Sequence, residues 1–265
     1  MVRRFLNFFQ RELTGLHEAA FLLGLSALAS QLLALLRDRL LASSFGAGQT
    51  LDIYYAAFRI PDLLYVSLGS FVSVTVVLPF LLKHLEAGEH QAAENLLADL
   101  FSRFLGFMFI GVVVAYFSMP YLLDFVTPGF TPAQHLELLS MARILLLSPL
   151  LLGLSNLLAN ITQSSRKFFL YALSPVLYNL SIIFGIIFFY PRWGLVGLVW
   201  GVVLGALCHL LIQVPALRRG GLALRFPALW SRSGSAWRKI FLLSWPRTLT
   251  LSANQLATMV LVALA

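Results

Sequence analysis

An all-α bundle of about seven membrane-spanning helices is the fold class this sequence predicts, and three observations carry it. Hydrophobic residues make up 59% of the 265, and charged residues only 11%, a balance outside the range of soluble domains. Apolar runs follow one another along the chain, several reaching the roughly 20 residues that cross a bilayer core. None shows the strict alternation over about ten residues that a β-barrel requires. Lys and Arg gather in alternate connections, as in a chain that crosses a membrane repeatedly. The net charge of +8 would point to nucleic acid in a soluble protein, but this topology absorbs it, so no nucleic-acid partner is expected. Cys208 is alone and lies in an apolar run, which excludes a disulfide framework.

Residues 1–18 place Phe5, Leu6, Phe8 and Phe9 beside Arg3, Arg4 and Arg11, the composition of an amphipathic helix at the inner membrane surface. A signal peptide cleaved near Ala27-Leu28-Ala29 fits less well, because the apolar pattern continues past that point. The first spanning helix is expected over 19–45, ending at Phe45-Gly46-Ala47-Gly48, where glycine lets the chain leave the helix. The second is expected over 54–83 and the third over 98–126. Thr127-Pro128-Gly129-Phe130-Thr131-Pro132 separates the third from a fourth over 135–162. A fifth over 168–190 breaks at Pro191, and a sixth follows over 193–216. On the sixth, Gly197, Gly201 and Gly205 fall every fourth residue and form a face for close helix approach. The seventh, over 238–265, runs out in Val260-Leu261-Val262-Ala263-Leu264-Ala265 without cap or anchor, as in a fragment of a longer protein. Pro61, Pro79, Pro149, Pro175 and Pro246 lie in or near these helices, where they remove backbone donors and induce bends.

Charge then sets orientation. Arg3, Arg4 and Arg11 precede the first helix, Lys83 and Arg103 flank the second connection, and Arg166 and Lys167 mark the fourth. Six basic residues between Arg218 and Lys239 crowd the sixth, whereas the third has none and the fifth only Arg192. The N-terminus is therefore expected in the cytoplasm.

Residues 37–62 contradict the apolar surroundings, holding Arg37, Asp38, Arg39, Asp52, Arg59 and Asp62. A charge at the bilayer centre costs at least about 2.5 kcal/mol, so such groups are partnered, interfacial or turned to a wet cavity. Helical spacing lets Ser30, Gln31 and Arg37 share one broad face, while Asp38 points about 100° away and Arg39 further. Arg37 is thus the cavity candidate, with Asp38 and Arg39 pairing with neighbours or reaching the interface. Arg59 has Asp52 and Asp62 as alternative partners, and Asp52 also suits a helix cap. Arginine's planar fork grips phosphate oxygens in pairs, so these cations point to a transporter or lipid-handling protein with an anionic headgroup such as a diphosphate.

The same residues carry a resemblance. Leu36-Arg37-Asp38-Arg39-Leu40-Leu41-Ala42, Leu51-Asp52 and Ala57-Phe58-Arg59-Ile60-Pro61-Asp62-Leu63-Leu64 closely resemble the N-terminal signature of the MviN/MurJ lipid II flippases, a family within the multidrug/oligosaccharidyl-lipid/polysaccharide exporter superfamily. The likeness continues through Pro79, Ser174-Pro175-Val176-Leu177-Tyr178-Asn179, Gly194-Leu195-Val196-Gly197-Leu198, Gln213-Val214-Pro215 and Pro246-Arg247-Thr248. It implies the N-terminal half of a two-lobe, alternating-access flippase of about fourteen helices, which moves lipid II from the inner to the outer leaflet of the bacterial inner membrane. By that comparison, 1–18 is the surface segment, 19–220 the six-helix N-lobe, and 221–265 a cytoplasmic linker with the first helix of the C-lobe.

The departures are specific. Where the family places arginines, this chain has Gln31 after Ser30, and Tyr65 and Val66 after the Pro-x-Leu-Leu element; Ser70 and Phe71 replace an acidic residue and a glycine. The expected substrate-binding set is Arg37, Arg59, Asp52, Ser30 and Gln31, with Arg247 beside the Pro246 kink as a candidate replacement; Arg143 suits a structural or interfacial place better. The implied partners are an anionic lipid-linked substrate and membrane lipids, with a monomeric state. The alternatives are a flippase for another polyprenyl-diphosphate-linked oligosaccharide, or a non-transporting membrane scaffold. An enzyme is not expected, since His17, His84, His90, His135 and His209 are scattered without metal-ligand spacing and no nucleophile–base set is present. No cofactor is expected; any energy source is an ion gradient or the membrane potential.

Overall fold

The computed structural model describes residues 16–46, 48–219 and 234–264. Residues 1–15 of the expected surface segment, and 220–233 with the first part of the linker expected from 221, lie outside the described residues. The expected helices all form. They are α1 (Leu16–Phe45), α2 (Gln49–Glu86, in several segments), α3 (His90–Val126), α4 (Pro132–Ser164), α5 (Phe168–Trp193), α6 (Leu195–Ala216) and α7 (Gly234–Leu264). Within the described residues, the first six are long and apolar enough to cross a membrane. α7 is not, although it is fully helical, because Arg238, Lys239, Arg247 and a series of Ser, Thr and Asn residues interrupt its apolar sequence.

Local chemistry sets the helix ends. Gly46 takes φ +64, a left-handed conformation open to glycine at little cost, and its N–H closes α1 on the Ala42 carbonyl at 2.9 Å. Thr131 caps α4 with a reciprocal box: its hydroxyl accepts from the Gln134 N–H while the Gln134 side chain accepts from the Thr131 N–H. The expected break at Pro191 falls elsewhere. A π-helical turn over Gly185–Phe189 precedes Tyr190–Trp193, which puts Pro191 in the first turn of a new segment, where its missing N–H is tolerated. The chain turns instead at Gly194, with φ +59.

Two stacked cores hold the bundle. One joins Leu41, Tyr54, Met119, Met141, Leu145 and Val202 near the end of α1; the other joins Leu81, Leu97, Phe101, Met108, Leu157 and Ile161 toward the opposite end. The glycine face of α6 meets α5 directly, and a Cβ on Gly201 would lie 2.8 Å from the Gly185 Cα. Both sides of that contact are backbone, so neither can yield by a side-chain rotation. Gly201→Leu is therefore expected to lower the thermal unfolding midpoint in detergent by about 5–10 °C, the effect of overpacking by a few kcal/mol in a chain of this size. An unchanged midpoint would mean that α5 and α6 can separate freely.

A charged cavity as the candidate functional site

The short turn after Gly46 brings the charged ends of α1 and α2 together around a cavity of about 1020 Å³. Arg37 and Asp38 enter from α1, Asp52, Arg59 and Asp62 from α2, and Tyr178 from α5, while Thr127–Phe130 and Ala263 close its sides. Helix α2 is interrupted at Phe58 between Gln49–Ala57 and Arg59–Leu64, next to the missing donor of Pro61. Arg59 and Asp62, three residues apart, share the face beyond that interruption.

Arg37 is held on two sides. Its Nε and Nη2 donate to Asp38 Oδ1, both at 2.9 Å, and its Nη1 donates to Asn179 Oδ1 at 3.0 Å. The Asn179 amide in turn donates to the Ser30 hydroxyl at 3.1 Å and to the Pro175 carbonyl at 3.2 Å. A single asparagine on α5 thus ties Arg37 to Ser30, two turns earlier on the same face of α1, and fixes the plane of the guanidinium. Arg59, Asp52 and Asp62 make no side-chain hydrogen bond or ion pair among the described residues, so their charges remain available to the cavity.

Of the residues expected at the site, the structure brings Arg37, Asp52 and Arg59 to one cavity, and Ser30 reaches it only through Asn179. Three expectations need correction. Gln31 does not line the cavity; it is exposed on the neighbouring face of α1, about 100° on from Ser30. Asp52 does not cap α2, because Gly48 holds the cap position and Asp52 lies a full turn in, its N–H already bonded to the Gly48 carbonyl. Arg247 stands away from the cavity and donates to the Ser73 and Thr75 hydroxyls. Tyr65, where arginine was the family expectation, turns toward α4 and accepts from the Asn156 amide at 2.9 Å.

Asn179 and Tyr178 were not picked out as site residues. The available signal was a polar pair in an otherwise apolar helix, one turn after Pro175. Arg143 lies against the face of Tyr116, 4.5 Å from the ring centroid, a structural position as expected.

The arrangement can hold an anion. Two arginines carry donor forks, one of them pre-oriented, and no covalent chemistry is needed for binding. The carboxylates of Asp52 and Asp62 limit the net positive charge, so ligand release is not opposed by a purely cationic trap.

Comparison with known proteins places the cavity in context. A family profile described as lipid II flippase MurJ matches residues 41–265. A probable lipid II flippase MurJ of Buchnera aphidicola is 29% identical over 240 residues, covering 89% of this chain and 47% of that protein. One from Bdellovibrio bacteriovorus is 30% identical over 76% of this chain and 40% of its own length, and the lipid II flippase MurJ of Burkholderia cenocepacia is 28% identical over 72% and 38%. The chain spans less than half the length of these relatives. Among solved structures, a lipid II flippase MurJ in an inward closed conformation superposes with a TM-score of 0.71 at 20% identity, over 91% of this chain and 49% of that one. An inward-facing multidrug resistance transporter of the MATE family gives 0.68 at 19%, over 86% and 52%. These likenesses establish the fold.

Proposed function

The chain belongs to the lipid II flippase MurJ family, and from that premise we propose that it supplies one lobe of a transporter moving lipid II from the inner to the outer leaflet of the bacterial cytoplasmic membrane. The observation that carries the proposal is the pair Arg37 and Arg59 facing one cavity, the first braced by Asp38 and Asn179 and the second held by no hydrogen bond or ion pair among the described residues. Arg59 offers its fork to the diphosphate oxygens, while Arg37 presents a fixed guanidinium plane beside it. Ser30 acts through Asn179 as a brace, and Asp52 and Asp62 temper the field. α7 begins the opposing lobe, whose remaining helices complete the cavity wall.

In this reading the end of the bundle carrying Lys83, Arg166, Arg238 and Lys239 faces the cytoplasm, and the cavity lies toward the outer side. The protein works as a monomer among membrane lipids and catalyses no covalent step. Alternating access is driven by an ion gradient or by the membrane potential, worth about 2.3 kcal/mol per charge per 100 mV. Expression of the full-length protein in bacteria depleted of their own lipid II flippase tests the substrate. Lipid II should regain accessibility on the outer leaflet. With the protein present in the membrane and no lipid II exposed, the substrate reading fails, in favour of another lipid-linked glycan or a scaffold.

A further inference from the structure

Helix α2 fails a second time, deeper in the bundle. A π-helical turn over Tyr65–Gly69 runs into a single 3-10 turn over Ser70–Val72, and Ser73 is extended, with φ −64 and ψ 147, before the helix resumes at Val74. Such a break frees carbonyls that the membrane interior cannot satisfy. The Val72 carbonyl accepts from Asn160 on α4 at 3.4 Å, and the Phe71 carbonyl accepts from the Ser244 hydroxyl on α7 at 3.4 Å. One half of the break is thus held by α4, and the other by α7.

The contact with α7 continues along the same face. Ser70 and Thr248 share a hydrogen bond at 2.6 Å, Ser67 and Ser252 another at 2.9 Å, and Arg247 donates to Ser73 at 3.2 Å and to Thr75. α7 carries its own defect at this level, Pro246, which leaves a helix carbonyl without its usual donor. Below the polar contacts, toward Arg238, the seam is aromatic: Phe71 stacks on Phe241 at 5.1 Å, and Trp237 stacks on Phe107 with the Arg103 guanidinium over its ring. A broken helix and an unbroken one that lacks a donor at Pro246 are therefore joined at this level largely by hydroxyls, each of which can exchange its partner for water.

We propose that this seam is a releasable latch: Ser67, Ser70 and Ser73 on the broken turn of α2 clasp Ser244, Arg247, Thr248 and Ser252 on α7, closing the cavity's path to the basic end of the bundle. Parting the seam removes the partners of the Phe71 carbonyl and the Ser70 hydroxyl together, and entering water replaces them. An apolar seam offers no such exchange, which is why hydroxyls stand here instead of leucines. Arg247 is then a latch residue, its guanidinium spanning the restart of α2 at Ser73 and Thr75. The inference rests on the alternating-access reading, yet its physical part, the opening of the seam, is measurable without a substrate.

The test is a Ser70→Cys/Thr248→Cys pair in the full-length protein with Cys208→Ser. Oxidation should join the two cysteines, stop lipid II exposure, and be reversed by reductant. Joined cysteines with undiminished exposure would overturn the latch, as would failure to join in protein that reaches the membrane. A second measurement needs no transport: Ser70→Cys alone should react slowly with a water-soluble maleimide, and about fivefold faster when Arg247→Ala removes one hydrogen-bonding group. A Ser70 position that never reacts, or one that reacts at the same rate in both backgrounds, would also overturn it.

Discussion

Arg37→Ala should reduce lipid II flipping by the full-length protein to background, while the protein still inserts. The change removes a cation and also leaves two partners behind. Asp38 loses both donors, and the Asn179 carbonyl loses the guanidinium that orients it. Charge-assisted hydrogen bonds contribute roughly 1.5–3 kcal/mol each, so binding of an anionic headgroup should weaken by at least about tenfold to a hundredfold. Arg37→Lys should not rescue the activity, because an ammonium cannot span Asp38 and Asn179 as the planar fork does. Asn179→Leu is the companion variant: Arg37 keeps Asp38 but loses its second brace, and flipping should fall by about tenfold without loss of protein. If Arg37→Lys and Asn179→Leu both flip at the wild-type rate, the geometry around Arg37 has no bearing on transport.

Arg59→Glu should be at least as damaging, for a different reason. Arg59 makes no hydrogen bond or ion pair among the described residues and has only the nearby Asp62 charge to balance it, so its replacement breaks no such bond, while a carboxylate there adds a third acid beside Asp52 and Asp62. Like charges in a confined cavity repel an anionic ligand before any contact is made. Flipping should be lost while thermal stability stays close to wild type. That split between activity and stability is the signature of a ligand-facing residue. A parallel loss of stability would instead identify Arg59 as part of the fold. Arg59→Gln is the milder control and should retain a fraction of the activity.

Much of the fold was legible because membrane spanning leaves a strong one-dimensional record. Apolar run length placed the helices, and turn chemistry at Gly46 and Thr131 fixed two of their ends. What escaped was whatever depends on irregular backbone. Pro191 looked like a break, but the π-helical turn upstream of it moved the break to Gly194. The interruption of α2 over Tyr65–Ser73 has no proline within it to announce it, and the side chains of α4 and α7 that satisfy its carbonyls are distant in sequence. Within the site, the charges of residues 37–62 announced themselves, since charge is costly in an apolar run. Asn179 did not, because a lone asparagine in a helix carries little signal until its partners on α1 are known. Gln31 was expected from the broad face it shares with Arg37 and Arg247 as a replacement cation beside the Pro246 kink, but neither lines the cavity.

The most direct test of the central claim is lipid II accessibility on the outer leaflet of flippase-depleted bacteria, with full-length wild type compared against the Arg37→Ala/Arg59→Ala double variant at equal membrane abundance. The cavity assignment predicts restored exposure with wild type and background exposure with the double variant. Equal exposure from both would show that these two arginines do not carry the substrate.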